Sequence, residues 1–292
     1  MQARARELRH SDLLSASVAP RAMNPTELKK ALKSGRRVYG TLIVSPSPRW
    51  PDTVAGLGLD FVFIDTEHIA LDRAQLSWMC QTYRALGLPP LVRIPAPDPS
   101  QACMALDGGA AGIIAPYVET VEQVQALRGA VKFRPLKGER LAAALRDPGG
   151  LEPKLAAYLE RNNRDSLLII NIESRPALER LDELLAVPDL DAVQIGPHDL
   201  SCSLGIPEQY AHPLFEEAVR TIIRKARAHG VAAGMHAWVG IERFVEWAGA
   251  GLNFIIYSAD TLAMRDKLTA DLRELRARLG DTPAATGVAD NI

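Results

Sequence analysis

Four short apolar runs in this chain end in charged or protonatable side chains. Phe61-Val62-Phe63-Ile64 stops at Asp65-Thr66-Glu67-His68, and Leu91-Val92 stops at Arg93. Leu167-Leu168-Ile169-Ile170 leads through Asn171 and Ile172 to Glu173, and Ala192-Val193-Gln194-Ile195-Gly196-Pro197 leads to His198 and Asp199. Charge at the ends of buried strands is costly unless it is paired or bound to a ligand. Glu173 and Asp199 would supply the all-oxygen ligation that suits Mg²⁺ or Mn²⁺. Arg93 could hold a carboxylate or enolate oxygen through charge-assisted bonds. The His68 imidazole can move protons at physiological pH, with Asp65 three residues earlier to orient its ring. The set points to a hard metal ion handling an oxyanion. Structural roles compete for each residue: helix caps or partners of Arg175 for the two acids, a helix-start histidine for His68, and a salt bridge to Glu67 or Asp65 for Arg93.

Such a site needs strands that lie side by side and share one carboxyl edge. Apolar runs bounded by Gly and Pro read as buried parallel strands, and they recur at 40–44, 61–65, 90–94, 112–116, 167–172, 192–195, 231–235 and 253–257. Helical patterns at 76–86, 121–131, 177–185, 215–228 and 241–248 lie between them. A first helix should start at Asn24, with Pro25 at its first position and Glu27 completing a capping box, and stop at Gly35. Eight strand–helix alternations over roughly 240 residues predict a (β/α)₈ TIM barrel, whose active site belongs at the carboxyl mouth. The alternative is an open doubly wound sheet. Gly56-Leu57-Gly58 precedes a strand instead of following one, and no Walker loop is present, so no nucleotide is expected. The longest interruption, 133–164, carries Pro135, Pro148 and Pro153 and should contain its own helix at 151–161.

An apolar content of 47% in 292 residues is ample for such a core, and a formal net charge of −1 argues against nucleic acid or a membrane surface as partner. Cys80, Cys103 and Cys202 are too far apart for a disulfide framework or a metal knuckle. The cytoplasm is the natural compartment. No apolar run approaches the roughly 18 residues of a membrane span. Residues 1–23 are Arg-rich and acid-poor, which fits a flexible extension ahead of Met23 or a targeting peptide. The barrel is expected over 24–280, with a flexible tail at 281–292.

The stretch from Gly58 through Asp60 and Asp65 to Glu67-His68 resembles a motif of the HpcH/HpaI aldolases, metal-dependent pyruvate aldolases of class II. Val92-Arg93-Ile94-Pro95 with Asp98-Pro99, Leu106-Asp107-Gly108-Gly109-Ala110, Ile114-Ala115-Pro116-Tyr117-Val118, Ile172-Glu173-Ser174-Arg175 and Ile195-Gly196-Pro197-His198-Asp199-Leu200-Ser201 resemble its later motifs in the same order. The resemblance implies a barrel assembled as a hexamer, a trimer of dimers, with the final helix exchanged between subunits. It implies Glu173 and Asp199 as ligands of Mg²⁺, Mn²⁺ or Co²⁺, His68 with Asp65 as the proton-handling pair, and Arg93 on the keto and enolate oxygen. Pro197, His198 and Asp199 would line the pyruvate carboxylate. Asp107 would support the histidine, within the chain or across a subunit boundary, and Glu67 and Asn171 would back the site. The chain departs from the family pattern at Asn171, where Gln is frequent, at Lys137, where Arg is frequent, and at His198. His236, Trp238 and Lys137 are candidates for the pocket of the second substrate.

The expected reaction is reversible cleavage of a 4-hydroxy-2-oxo acid to pyruvate, or a related 2-oxo acid, and an aldehyde through a metal-stabilised enolate. No Lys stands at a predicted strand end, so neither a Schiff base nor pyridoxal phosphate is expected. Decarboxylation of oxaloacetate or a related diacid would pass through the same enolate. A non-catalytic ligand-binding protein on an aldolase scaffold is the alternative of another class.

Overall fold

In the computed structural model, residues 22–281 are described, and the expected termini at 1–21 and 282–292 lie outside them. Eight parallel strands close into a barrel in sequence order. The elements run α1 (Pro25–Ser34), β1 (Val38–Leu42), α2 (Trp50–Ala55), β2 (Val62–Asp65), α3 (Arg73–Ala85), β3 (Pro90–Arg93), α4 (Pro99–Asp107), β4 (Gly112–Ala115) and α5 (Val121–Lys132). They continue with α6 (Gly138–Arg146), α7 (Pro153–Asn163), β5 (Leu167–Ile172), α8 (Arg175–Glu179), α9 (Leu181–Leu185), β6 (Ala192–Ile195) and α10 (Pro197–Ser203). The last are α11 (Pro213–Ala228), β7 (Ala232–Ala237), α12 (Ile241–Gly249), β8 (Phe254–Ala259) and α13 (Asp260–Leu279).

Helix starts follow local chemistry. Asn24, Asp72 and Thr120 each cap a helix through a reciprocal box with Glu27, Gln75 or Gln123, satisfying donors that the first turn leaves free. Met23 is buried and its N–H donates to Gly87 O, so packing against the barrel includes Met23.

Strand alternation divides the core into two layers. Val62, Ile64, Val92, Ile113, Ile170 and Val193 face outward and bury the apolar stripes of the helices. Phe61, Phe63, Leu91, Ile169, Phe254 and Ile256 fill the barrel interior. A one-residue slip would exchange these layers, so the register is strongly specified. Phe61 and Phe254 meet at 5.0 Å between ring centroids, and glycines make room for them. A Cβ at Gly40 would lie 2.4 Å from the Phe61 ring, and one at Gly234 would lie 2.3 Å from the Phe254 ring and 2.4 Å from its carbonyl oxygen. At the amino face, Asp191 accepts from the Leu168 N–H and from Lys132 Nζ, which closes the floor between β5 and β6.

Most element ends shift by one to three residues from the sequence reading, and three differences have a physical cause in the structure. β1 starts two residues before the apolar run, because Val38 pairs with Phe254 across the barrel closure. The pattern at 177–185 splits into α8 and α9 at Arg180. The segment 133–164 holds α6 as well as the expected helix, and Phe133, Ala144 and Leu159 form a small satellite core between them.

Gly234→Ala should destabilise the barrel by about 1–3 kcal/mol, because the added methyl meets backbone that cannot give way. Denaturant unfolding checks this, and a variant as stable as the parent would show that the interior is not packed at this point.

Candidate active site at the barrel mouth

Asp65 and Arg93 end adjacent strands and are direct register partners across β2 and β3. Arg93 Nε donates to Asp65 Oδ1 at 2.8 Å and Nη2 donates to Oδ2 at 2.6 Å, a bidentate fork. Arg93 Nη1 makes no hydrogen bond to protein among the described residues, and the side chain is only 12% exposed. Burial alone would push the Asp65 carboxyl up, but the guanidinium and the Glu67 N–H together hold it below its ordinary range. Burial likewise works against the charged guanidinium, and Asp65 and Glu67 more than compensate. Glu67 Oε2 lies 3.1 Å from Arg93 Nε as an ion pair, although the N–H itself points at Asp65.

The expected hydrogen bond from Asp65 to the His68 ring is absent. The Asp65 oxygens take the Arg93 fork and the main-chain N–H groups of Glu67 and His68 instead. The imidazole stands at the rim, 58% exposed, with Nε2 3.7 Å from Glu67 Oε1. Glu67 is thus the acid beside the ring, because the fork and the two main-chain N–H groups occupy the Asp65 oxygens. The salt bridge that competes for Arg93 in the sequence reading is present with both acids.

Glu173 follows β5 and is 6% exposed. Its Oε1 accepts the Tyr117 N–H at 2.6 Å and its Oε2 accepts Asn171 Nδ2 at 2.8 Å. Burial pushes its carboxyl up to about 7, helped by the charges of Asp199 and Glu67 and opposed by those two hydrogen bonds. A Cβ at Gly196 would lie 2.6 Å from Glu173 Oε2, so only glycine lets the carboxylate lie across the exit of β6. Asp199 stands in the first turn of α10, exposed and with no side-chain partner among the described residues. Pro197 opens that helix without a side-chain cap, which leaves the His198 and Asp199 N–H groups at its start. The His198 ring turns to Glu208 at 3.7 Å.

The remaining candidates disperse. His236 is set against Phe63 and Trp238 and shares a 3.1 Å hydrogen bond with Ser258 O; burial pushes it down to about 4, so it is neutral near pH 7. Trp238 is exposed beside it, whereas Lys137 opens α6 and makes no hydrogen bond or ion pair with either. Asp107 is 74% exposed and pairs with Arg134 at 2.8 Å, with no contact to His68 within this chain.

The same architecture runs through known proteins. A family model described as HpcH/HpaI aldolase/citrate lyase matches residues 40–265. The chain belongs to this family. It is 31% identical over 247 residues to the 2-keto-3-deoxy-L-rhamnonate aldolase of Shigella boydii serotype 4, covering 85% of this chain and 92% of that one. The crystal structure of an HpcH/HpaI aldolase from Desulfitobacterium hafniense superimposes with a TM-score of 0.76 at 28% identity, covering 91% of this chain and 100% of the other. The citrate synthase SbnG gives 0.75 at 29% identity, over 87% and 99%. The HpcH/HpaI family is one of carbon–carbon lyases, and this member is an enzyme of that class.

The mouth of this HpcH/HpaI barrel sets Asp65, Glu67 and Glu173 near one guanidinium, with Asp199 near Glu173. Glu173, raised by burial and further by its acidic neighbours, stands with Asp199 as an oxygen donor pair that a hard cation would satisfy. Among the described residues no three His, Cys, Asp or Glu side chains form a ready metal cage, so water and substrate would complete the coordination of an ion held by Glu173 and Asp199. Sequence reasoning missed Tyr117. It is held at φ +55, a conformation costing a non-glycine residue about 1–2 kcal/mol, and its N–H anchors Glu173. Glu67 first, then burial, pushes its phenol up to about 12, so the ring stays protonated. The polar end of an apolar strand was the available signal, in Ala115-Pro116-Tyr117.

Because the folded pKa of Glu173 exceeds its ordinary value of 4.5, ionisation favours the unfolded chain. Without a divalent cation, stability should fall as pH rises from about 4.5 to about 7, by roughly 1–3 kcal/mol. In EDTA, Glu173→Gln should match the parent near pH 5 and exceed it near pH 7.5 in denaturant unfolding. A variant that is weaker by the same amount at both pH values would mean that the charge itself is held favourably.

Proposed function

We propose that this chain is a divalent-metal-dependent aldolase that reversibly cleaves a 4-hydroxy-2-oxo acid into pyruvate, or a close 2-oxo acid, and an aldehyde. The observation that carries the reading is the Arg93 fork, locked by Asp65 with Nη1 left over, beside the buried and acid-crowded Glu173. The likeness to a 2-keto-3-deoxy-L-rhamnonate aldolase supports a 2-keto-3-deoxy sugar acid or similar compound as substrate.

Glu173 and Asp199 would hold Mg²⁺, Mn²⁺ or Co²⁺, which when bound acts as a Lewis acid toward the 2-oxo acid. Arg93 Nη1 donates to the C2 oxygen as negative charge develops there, and the Asp65 fork keeps this donor preorganised. The first-turn N–H groups of His198 and Asp199 face the substrate carboxylate. His68 accepts the proton of the C4 hydroxyl. The C3–C4 bond then breaks, releasing the aldehyde and leaving the electron pair in the C2–C3 enolate. The protonated His68 returns the proton to C3, giving pyruvate. His236 remains neutral and packs the wall between Phe63 and Trp238.

Pyruvate incubated in deuterium oxide with this protein should lose its methyl protons only when a divalent ion is present. Glu173→Ala should lower that exchange by at least about 10²-fold while the barrel remains folded by circular dichroism. Full exchange in EDTA, or in the variant, would sink the metal-dependent reading.

The working form is proposed to be a cytoplasmic homo-oligomer, a hexamer. Along α13 only Leu262 is buried, and Met264, Leu268, Leu272, Leu275 and Leu279 form an exposed stripe at helical spacing. Beside the start of that helix, a cleft of about 540 Å³ lined by Tyr39, Trp50, Leu57 and Tyr257 stands open. A second copy's helix fits both features. No helix among the described residues is long and apolar enough to cross a membrane. Leu268→Asp with Leu272→Asp should shift the protein to a smaller species in light scattering after size exclusion. An unchanged mass would place the subunit contact elsewhere.

A further inference from the structure

The residues around Glu173 are fastened to more of the barrel mouth than the cleavage steps use. Glu173, Ser174 and Arg175 leave β5 in succession, and each is bonded outside its own strand. Glu173 Oε1 takes the Tyr117 N–H at 2.6 Å, from the loop after β4. The Arg175 N–H, left free by the first turn of α8, donates at 2.9 Å to Ser203 Oγ, at the end of the α10 helix that carries Asp199. Between them, Ser174 Oγ donates to Glu119 Oε1 at 2.6 Å and accepts the Ala177 N–H at 3.3 Å as the cap of α8. A hydroxyl has one proton to give, and this one is committed to Glu119.

Glu119 is itself held from behind. Gln123 Oε1 accepts the N–H groups of Glu119 and Thr120 at 2.8 and 3.0 Å, and its Nε2 donates to Tyr117 O at 3.4 Å. Residues 117–120 are thereby braced against the start of α5, and the Glu119–Ser174 bond joins this loop to the exit of β5. The joint matters because Tyr117 sits at φ +55, a conformation that a non-glycine residue keeps only where its surroundings hold it. Released from β5, the loop can relax, and the Tyr117 N–H that orients the Glu173 carboxylate goes with it.

Resting on the metal-dependent aldolase reading, we propose that Glu119 is a positioning residue for the cation site. Through Ser174 it locks the loop after β4 onto β5, so that Glu173 keeps one orientation for the ion it would share with Asp199. Glu119 touches neither ion nor substrate. Its contribution is to affinity for the ion and not to the rate once the ion is bound.

Binding of Mn²⁺ to the whole chain without substrate, followed by electron paramagnetic resonance of the free ion, reads the site directly, with Glu173→Ala marking the background. Glu119→Ala leaves Ser174 as the cap of α8 and removes only the joint. Its affinity for Mn²⁺ should fall about 3- to 10-fold, the worth of one hydrogen bond to a charged group. Deuterium exchange of pyruvate should recover at saturating Mn²⁺. Glu119→Gln keeps an acceptor for Ser174 and loses the charge, and should bind Mn²⁺ as the parent does. Parental affinity in Glu119→Ala overturns the assignment. So does an equal loss in Glu119→Ala and Glu119→Gln, which would make the effect one of charge alone. If the parent binds Mn²⁺ no better than Glu173→Ala, the metal-dependent reading falls and takes this assignment with it.

Discussion

The bidentate pair between Asp65 and Arg93 is the constraint on which the barrel mouth depends. It joins two strand ends that are direct register partners, and both groups are nearly sealed from water. Removing one member of such a pair strands the other charge, at a cost of about 3–5 kcal/mol. The pair also decides what remains available. Nε and Nη2 are spent on Asp65, so among the described residues only Nη1 of the guanidinium is left without a protein partner. Glu67 and the His68 main chain are drawn to the same carboxylate, and that is why the imidazole is left at the rim.

Because Arg93 is committed to Asp65, it cannot neutralise Glu173. Burial and acidic neighbours therefore raise that carboxyl, and its two hydrogen bonds, from Tyr117 and Asn171, hold its position more than its charge. The inner wall beneath it is unfinished in the same sense. Asn171 Oδ1 and Gln194 Oε1 are buried acceptors without a protein partner, on paired positions of β5 and β6. Buried polar atoms of this kind are normally satisfied, and these two lie on adjacent strands next to Glu173. At the amino face the buried acid has cations beside it. There Asp191 Oδ2 accepts from Lys132 and from a main-chain N–H, and Lys29 lies 3.7 Å from its other oxygen, so the buried charge is paired within the protein.

Much of this was legible in the amino-acid order. Strand alternation separates inward Phe61, Phe63 and Asp65 from outward Val62 and Ile64, and that pattern determines which layer each residue joins. Eight such segments with helices between them leave few topologies, and the carboxyl ends of the strands then locate Asp65, Arg93, Glu173 and Asp199 without coordinates. The motif resemblance named the same residues independently. Capping boxes at Asn24, Asp72 and Thr120 are local and were readable for the same reason: donor and acceptor lie three residues apart.

What only the tertiary structure decided is how the charged groups share partners. Sequence placed Asp65 three residues from His68 and suggested that they pair, but Arg93, 28 residues away, outcompetes the imidazole because a planar fork meets both carboxylate oxygens at once. Tyr117 entered the site only through a contact with a residue 56 positions later. Asp107 and Lys137 came from the motif pattern, yet they lie apart from His68, His236 and Trp238 within one chain, since nothing local fixes which way a helix end faces. Periodicity is a property of neighbours along the chain and sets the fold. Competition for a hydrogen bond is settled between neighbours in space, and it sets the site.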